Sequence, residues 1–296
     1  MTVDFRELAE RAMLTAIDVR ETWKRDDEGP IDVYSLCHDM SVMVRFVAIP
    51  SMEGLYGRGK DGTGVILLPS QRPLPRRAFS CGHELGHHVF GHGSSIDQMI
   101  GMYTDRTGSS FDPNEFLVDT FAGFLLMPTL GVRSAFTRRG WKPAEATPEQ
   151  VFAIACSFGV GYETLIAHMT FSLRMLTRNR AKLLSKDSPK SIRERILGRV
   201  CADPMVIVDK EWAMPTVDVE VGTLLLLPIN ANTDGVGLVI EESRAEGQLV
   251  RASRPGITRV VVPGTSLAMF VRTAKKEFVG LAQYRHLECE EGDEDE

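Results

Sequence analysis

Residues 83–87 read His-Glu-Leu-Gly-His, and no other stretch limits the fold of this chain as tightly. Two histidines four positions apart on an α-helix leave the same face one turn above the other, so their imidazoles can share a metal ion. Glu84 then stands beside the metal's open position, where it can take a proton from a bound water. That is zinc hydrolase chemistry. A five-residue pattern with three fixed letters also arises by chance, so the surroundings must decide. Phe79, Leu85, Val89 and Phe90 supply apolar surface on either side of His83 and His87. Pro75 suits the approach to a helix start, and Gly91-His92-Gly93 suits its end.

A catalytic zinc takes three protein ligands and keeps one position for water, whereas a structural zinc takes four. The third ligand is expected from residues 114–128, Asn-Glu-Phe-Leu-Val-Asp-Thr-Phe-Ala-Gly-Phe-Leu-Leu-Met-Pro. Asp112 or Asn114 can cap this helix, and Pro128 ends it. Glu115 and Asp119 share one face of an otherwise apolar segment, and a buried acid needs a partner. Glu115 as third ligand and Asp119 as the acceptor that orients a ligand histidine would satisfy both; the plainer alternative places both on a wet edge. His88 points off the His83/His87 face. His92 fails the longer three-histidine pattern, because Phe90 and Gly93 replace the required Gly and His. Both read as satisfied or surface histidines.

The run Arg76-Arg77-Ala78-Phe79-Ser80-Cys81-Gly82 leading into His83, and on to His92, resembles the core motif of the ImmA/IrrE metallopeptidases. Glu115, Asp119, Phe121-Ala122 and Leu125-Leu126-Met127-Pro128 resemble that family's second motif. The Phe-Ala…Leu-Leu-Met-Pro ending holds no metal, so its occurrence beside the first motif is specific. The resemblance spans roughly residues 30–175 and implies a zincin-like, gluzincin-type endopeptidase using Zn2+. It also implies a partner, a helix-turn-helix transcriptional repressor cleaved to release a stress, DNA-damage, mobile-element or defence programme. One departure is Asp119, where many members carry Asn; either accepts a hydrogen bond from histidine.

The 296 residues, 43% hydrophobic and 25% charged, are enough for two domains of an ordinary soluble protein. No stretch approaches roughly 18 apolar residues and Met1–Arg6 lacks a signal-peptide layout, so the expectation is a cytoplasmic protein with no membrane partner. Cys37, Cys81, Cys156, Cys201 and Cys289 are odd in number and scattered, which points to free thiols in a reducing compartment. A thiol closing the zinc's fourth position is the sharper alternative; Cys81, just ahead of the motif, is poorly placed to reach the metal.

The expected fold class is α+β. A metallopeptidase domain over residues 1–180 opens with an amphipathic helix at 5–25, a second helix from 31–38, and strands at 42–47 and 64–68 joined through the Gly-rich stretch 54–64. An edge strand beside the motif helix could bind substrate backbone. Residues 93–112 read as a polar loop carrying Tyr103, a packing residue or an oxyanion donor. The domain ends in a helix–Gly turn–helix unit over 148–178, resembling a helix-turn-helix, with His168 structural. Residues 171–200 hold nine basic residues against two acids, so the rest of the chain carries −13. A basic linker is assigned to 181–202, with a break at Ser188-Pro189. Arg174, Arg178, Arg180 and Lys182 are candidate nucleic-acid contacts, and single-stranded DNA a candidate activator; a solvated linker or a dock for acidic protein is the alternative. Residues 203–287 read as a mostly β regulatory or sensory domain, largely antiparallel, GAF-like only by analogy with some relatives. Residues 288–296 form an acidic tail.

Two rival functions remain. In one, the chain is a DNA-responsive regulator with an inactive peptidase fold. In the other, the zinc is structural and the protein is a binding module.

Overall fold

The computed structural model describes residues 4–59, 62–93, 95–97 and 112–287. Tyr103, Cys289 and the acidic tail lie outside the described residues. Helix α1 (Phe5–Thr22) begins where the Asp4 carboxylate accepts from the amides of Arg6 and Glu7. Asp32 starts α2 (Val33–Asp39) in the same way. Strands β1 (Val42–Val47) and β3 (Gly64–Pro69) run parallel, with Val44 opposite Ile66.

The Gly-rich stretch between them is more than a connection. It contains β2 (Gly54–Arg58), antiparallel to β3, whose glycines hide the usual strand alternation. Strand β4 (Ser95–Asp97), in the segment expected to be a loop, pairs antiparallel with β2 and forms the sheet edge.

Helix α3 (Leu74–Val89) carries the histidine motif and lies against β2, β3 and α4 (Pro113–Leu126). Asp112 caps α4, and Pro128 both stops it and leads into α5 (Thr129–Arg138), which the sequence reading passed over. The segment Pro113–Arg138 has the length and hydropathy of a membrane span, but 67% of its apolar window is buried inside the protein. The chain then folds into α6 (Pro148–Ser157) and α7 (Tyr162–Phe171), inclined at 97°. Gly159, at φ +64°, makes the left-handed step between them.

The basic stretch forms two short helices, α8 (Arg178–Leu184) and α9 (Pro189–Leu197). Ser188 and Ser191 build a capping box at the expected break. Leu184 and Ile192 join the main core, so these helices are packed rather than extended into solvent.

Beyond residue 203 lie two four-stranded sheets. One has the order β5 (Met205–Ile207), β7 (Leu224–Leu227), β10 (Gly247–Ala252), β9 (Leu238–Arg244). The other has β6 (Thr216–Glu220), β12 (Ala268–Ala274), β11 (Gly256–Val261), β8 (Asn232–Asp234). They share a core containing Leu225, Val250, Val217, Val260 and Val271. Most pairs are antiparallel, but β5–β7 and β6–β12 are parallel. Nothing in this arrangement carries the GAF-like analogy. The last strand, β13 (Gly280–Leu281), leaves this region and pairs with β1 in the first sheet.

Candidate metal centre

The motif sits on the buried face of α3 because that face packs against α4 with almost nothing between the backbones. A Cβ placed at Gly86 would lie 2.9 Å from the Cβ of Val118, and one at Gly82 would lie 3.4 Å from that of Ala122. The close approach brings the first turns of α4 over His83 and His87. Both histidines are buried, at 4% and 3% exposure.

Their Nε2 atoms stand 3.3 Å apart. The Glu115 carboxylate oxygens lie 3.3 Å from Nε2 of His83 and 3.5 Å from Nε2 of His87. A tetrahedral zinc with ligand bonds of about 2.0–2.1 Å has ligand atoms about 3.4 Å apart. The two imidazole nitrogens and the carboxylate, whose Oε2 faces His83 and Oε1 faces His87, are therefore spaced as the ligands of a zinc-sized site. Among the described residues they are also a group whose ligand atoms all lie within 4.8 Å of one another. Two imidazoles and one carboxylate suit zinc, and the site fits a metal left with one open position.

The hydrogen bonds behind the imidazoles fix which nitrogen faces the metal. His83 Nδ1 lies 2.8 Å from Asp119 Oδ1, and a carboxylate can only accept, so Nδ1 carries a proton and Nε2 is the nitrogen turned towards Glu115 and His87. Burial disfavours the charged ring, but the hydrogen bonds His83 donates to Asp119 and Glu115 outweigh it and hold His83 well above the ordinary histidine range until a metal takes Nε2. His87 is held differently. Its Nδ1 lies 3.0 Å from Nδ1 of His92, which must be the unprotonated acceptor if His87 is to present Nε2. Burial lowers the affinity of His92 for a proton. Burial and the neighbouring His83 push His87 down to about 4.

His92 is thus a positioning residue that the sequence reading set aside. It does not fit a ligand pattern, and the signal that marks it is its place just past His87, where the helix ends and the chain turns back. His88 is satisfied by the Tyr56 hydroxyl at 2.9 Å, off the metal face as expected. His168 is structural: its Nε2–H donates to the Met127 carbonyl at 2.9 Å, and burial pushes it down to about 4.

Glu84 is fully buried, and its charge acts on His83. Strand β2 passes directly over it. A Cβ at Gly54 would stand 2.5 Å from Glu84 Oε1 and 3.0 Å from its Cγ, so only glycine leaves room for this carboxylate. Gly54 is a second residue the sequence did not disclose. Cys81 faces away from the metal, with its Sγ 3.7 Å from that of Cys37 in the core. Arg174, Arg178, Arg180 and Lys182 lie on the turn after α7 and on α8, outside the elements that build the centre. Arg180 donates to the Ala146 carbonyl and Arg178 lies over the Phe171 ring, while Arg174 and Lys182 are exposed.

Residues 37–170 match the family described as the IrrE N-terminal-like domain, a peptidase family. No curated protein gives a match to the chain. The matched segment runs from within α2 to the last turn of α7 and encloses every residue of the centre, so this part of the chain is similar to the ImmA/IrrE-type metallopeptidases.

Proposed function

We propose that the chain is a zinc-dependent endopeptidase acting on a helix-turn-helix transcriptional repressor. The observation that carries the peptide-hydrolase part is the cluster of His83 Nε2, His87 Nε2 and the two Glu115 carboxylate oxygens, at contacts of 3.3–3.5 Å, together with a fully buried Glu84. A zinc ion held there would polarise the scissile carbonyl and bring the pKa of its water towards neutrality. Glu84 accepts the proton of the attacking water and returns it to the leaving amine. Asp119 and His92 hold the two imidazoles in the tautomer that presents Nε2. The repressor as substrate, and the stress, mobile-element or defence output, rest on the family resemblance.

The test is to incubate the purified chain and zinc with a small helix-turn-helix repressor, sought first among the genes that flank its own. Cleavage is expected with the native chain. Glu84→Gln should bind zinc with unchanged affinity and lose cleavage by at least about 100-fold, because an amide cannot act as the base. Full cleavage by that variant would refute the role of Glu84. Single-stranded DNA belongs to the proposal as an activator, supported by the exposed Arg174, Arg178 and Lys182. An unchanged cleavage rate on adding it would remove that element.

A further inference from the structure

Away from the metal centre, a cavity of about 800 Å³ separates the helical region from the β region. Its walls come from the start of α2 and α3, the α6–α7 turn and the segment leading into β6. Leu126, Phe152, Phe158, Val217 and Met214 make it largely apolar. That size lies within the range of small-molecule sites, about 300–1,000 Å³, which favour domain junctions.

The polar groups on the wall decide what it would hold. Asp32 and Asp218 are paired with Arg272, Arg76 with Glu53, and Glu220 with Arg77. Glu163 is exposed to water. Arg193 is different: half-buried, it forms no ion pair among the described residues, and its Nε–H is shut off from solvent without an acceptor. Two more lining groups share that condition. The Trp212 indole N–H and the Tyr34 hydroxyl are buried, at 8% and 7% exposure, with no hydrogen-bond partner. Buried donor atoms without acceptors are costly, and three of them belong to residues that line this one largely apolar cavity.

We propose that this cavity binds an amphipathic carboxylate, its apolar body against the cavity wall and its oxygens accepting from Arg193, with the Trp212 and Tyr34 donors on the wall of the same cavity. The reasoning is chemical complementarity. An alcohol would leave the guanidinium charge unmatched, and a cationic headgroup would repel it, whereas a carboxylate pairs with arginine in its preferred geometry.

The test is calorimetric titration of the full chain with decanoate below its micelle concentration, alongside decyltrimethylammonium and decanol. Saturable binding of decanoate at one site per chain is expected, at least about ten-fold tighter than either control. Arg193→Gln, at a partly exposed position where folding should be unaffected, should weaken decanoate by about ten-fold or more. Arg193→Lys should restore part of that loss, and Trp212→Phe should weaken binding with Arg193 intact. No saturable heat with decanoate, equal binding of all three headgroups, or decanoate binding indifferent to Arg193→Gln would each overturn the proposal. Circular dichroism and zinc affinity, read on the same samples, separate a lost site from a lost fold.

Discussion

His92 and Asp119 do the same job for two different histidines, and the sequence advertised only one of them. An acid on an apolar helix is conspicuous, because its burial requires a partner. A histidine just past a motif already rich in histidines is not. The geometry makes both testable through metal affinity rather than turnover. Removing the group behind a ligand imidazole typically costs about 10- to 100-fold in affinity. His92→Ala and Asp119→Ala should each show a loss of that size in a competitive zinc titration with a chromophoric chelator, with helical content unchanged. Asp119→Asn should retain most of the affinity, since its amide oxygen still accepts from His83 Nδ1 at the same place. If Asp119→Asn were as damaging as Asp119→Ala, hydrogen-bond orientation would be the wrong account of that residue. That His83, His87 and Glu115 come together as a group able to hold a metal was legible, because that grouping is coded in residue type and spacing.

The packing of elements was only half visible. Helices α3 and α4 announced themselves through periodicity, caps and Pro128, while β2 was concealed by glycines whose reason lies in the tertiary structure. Gly86 and Gly54 are the clearest cases. At Gly86 an added methyl meets the Cβ of Val118, an atom fixed by the backbone of α4, so the two helices must separate. Gly86→Ala should destabilise the fold by about 1–3 kcal/mol and weaken zinc binding, because it moves Glu115 away from both histidines. At Gly54 the methyl meets the Glu84 carboxylate instead, so Gly54→Ala should keep zinc and lose cleavage. Zinc titration and cleavage measured on both variants distinguish the two positions, and identical behaviour would contradict this assignment. Helices α4 and α7 are also joined through His168, whose buried ring sits at about 4 against an ordinary 6.5. Since the folded value is the lower one, the unfolded chain takes up a proton that the folded chain refuses. The stabilisation is complete above pH 6.5 and is lost as pH falls towards 4, with a span on the order of 3 kcal/mol. His168→Gln should flatten the pH dependence of the urea midpoint across that window, relative to the native chain.

The way the two halves of the molecule are joined was the least legible feature. Short β segments declare that strands exist without naming their partners, and nothing local marks Gly280–Leu281 as belonging to a sheet more than 230 positions earlier. The charged residues at the junction read as ordinary surface until their partners are known. Arg272 and Arg285 of the β region share Asp32 and Asp218, and Arg139 binds Asp209 through two hydrogen bonds. Arg77 has the largest consequence for function, because it lies on the metal-binding helix itself. Its guanidinium is 1% exposed, lies over the Phe46 ring and pairs with Glu220 on β6. The β region therefore holds the same helix that presents His83 and His87. Glu220→Ala would leave a buried cation without its carboxylate, a change that costs about 3–5 kcal/mol. Glu220→Gln should cost less, because its amide oxygen can still accept from Arg77. If the junction couples the halves as tightly as these pairs indicate, urea unfolding should be a single transition. Fluorescence of Trp212 in the β region, read with Trp23 and Trp141 replaced by Phe, and release of zinc from the helical region should then share one midpoint, which Glu220→Ala lowers for both probes together. Separate midpoints in the native chain, or a shift confined to the Trp212 signal, would show that the β region folds and unfolds without reference to the metal centre.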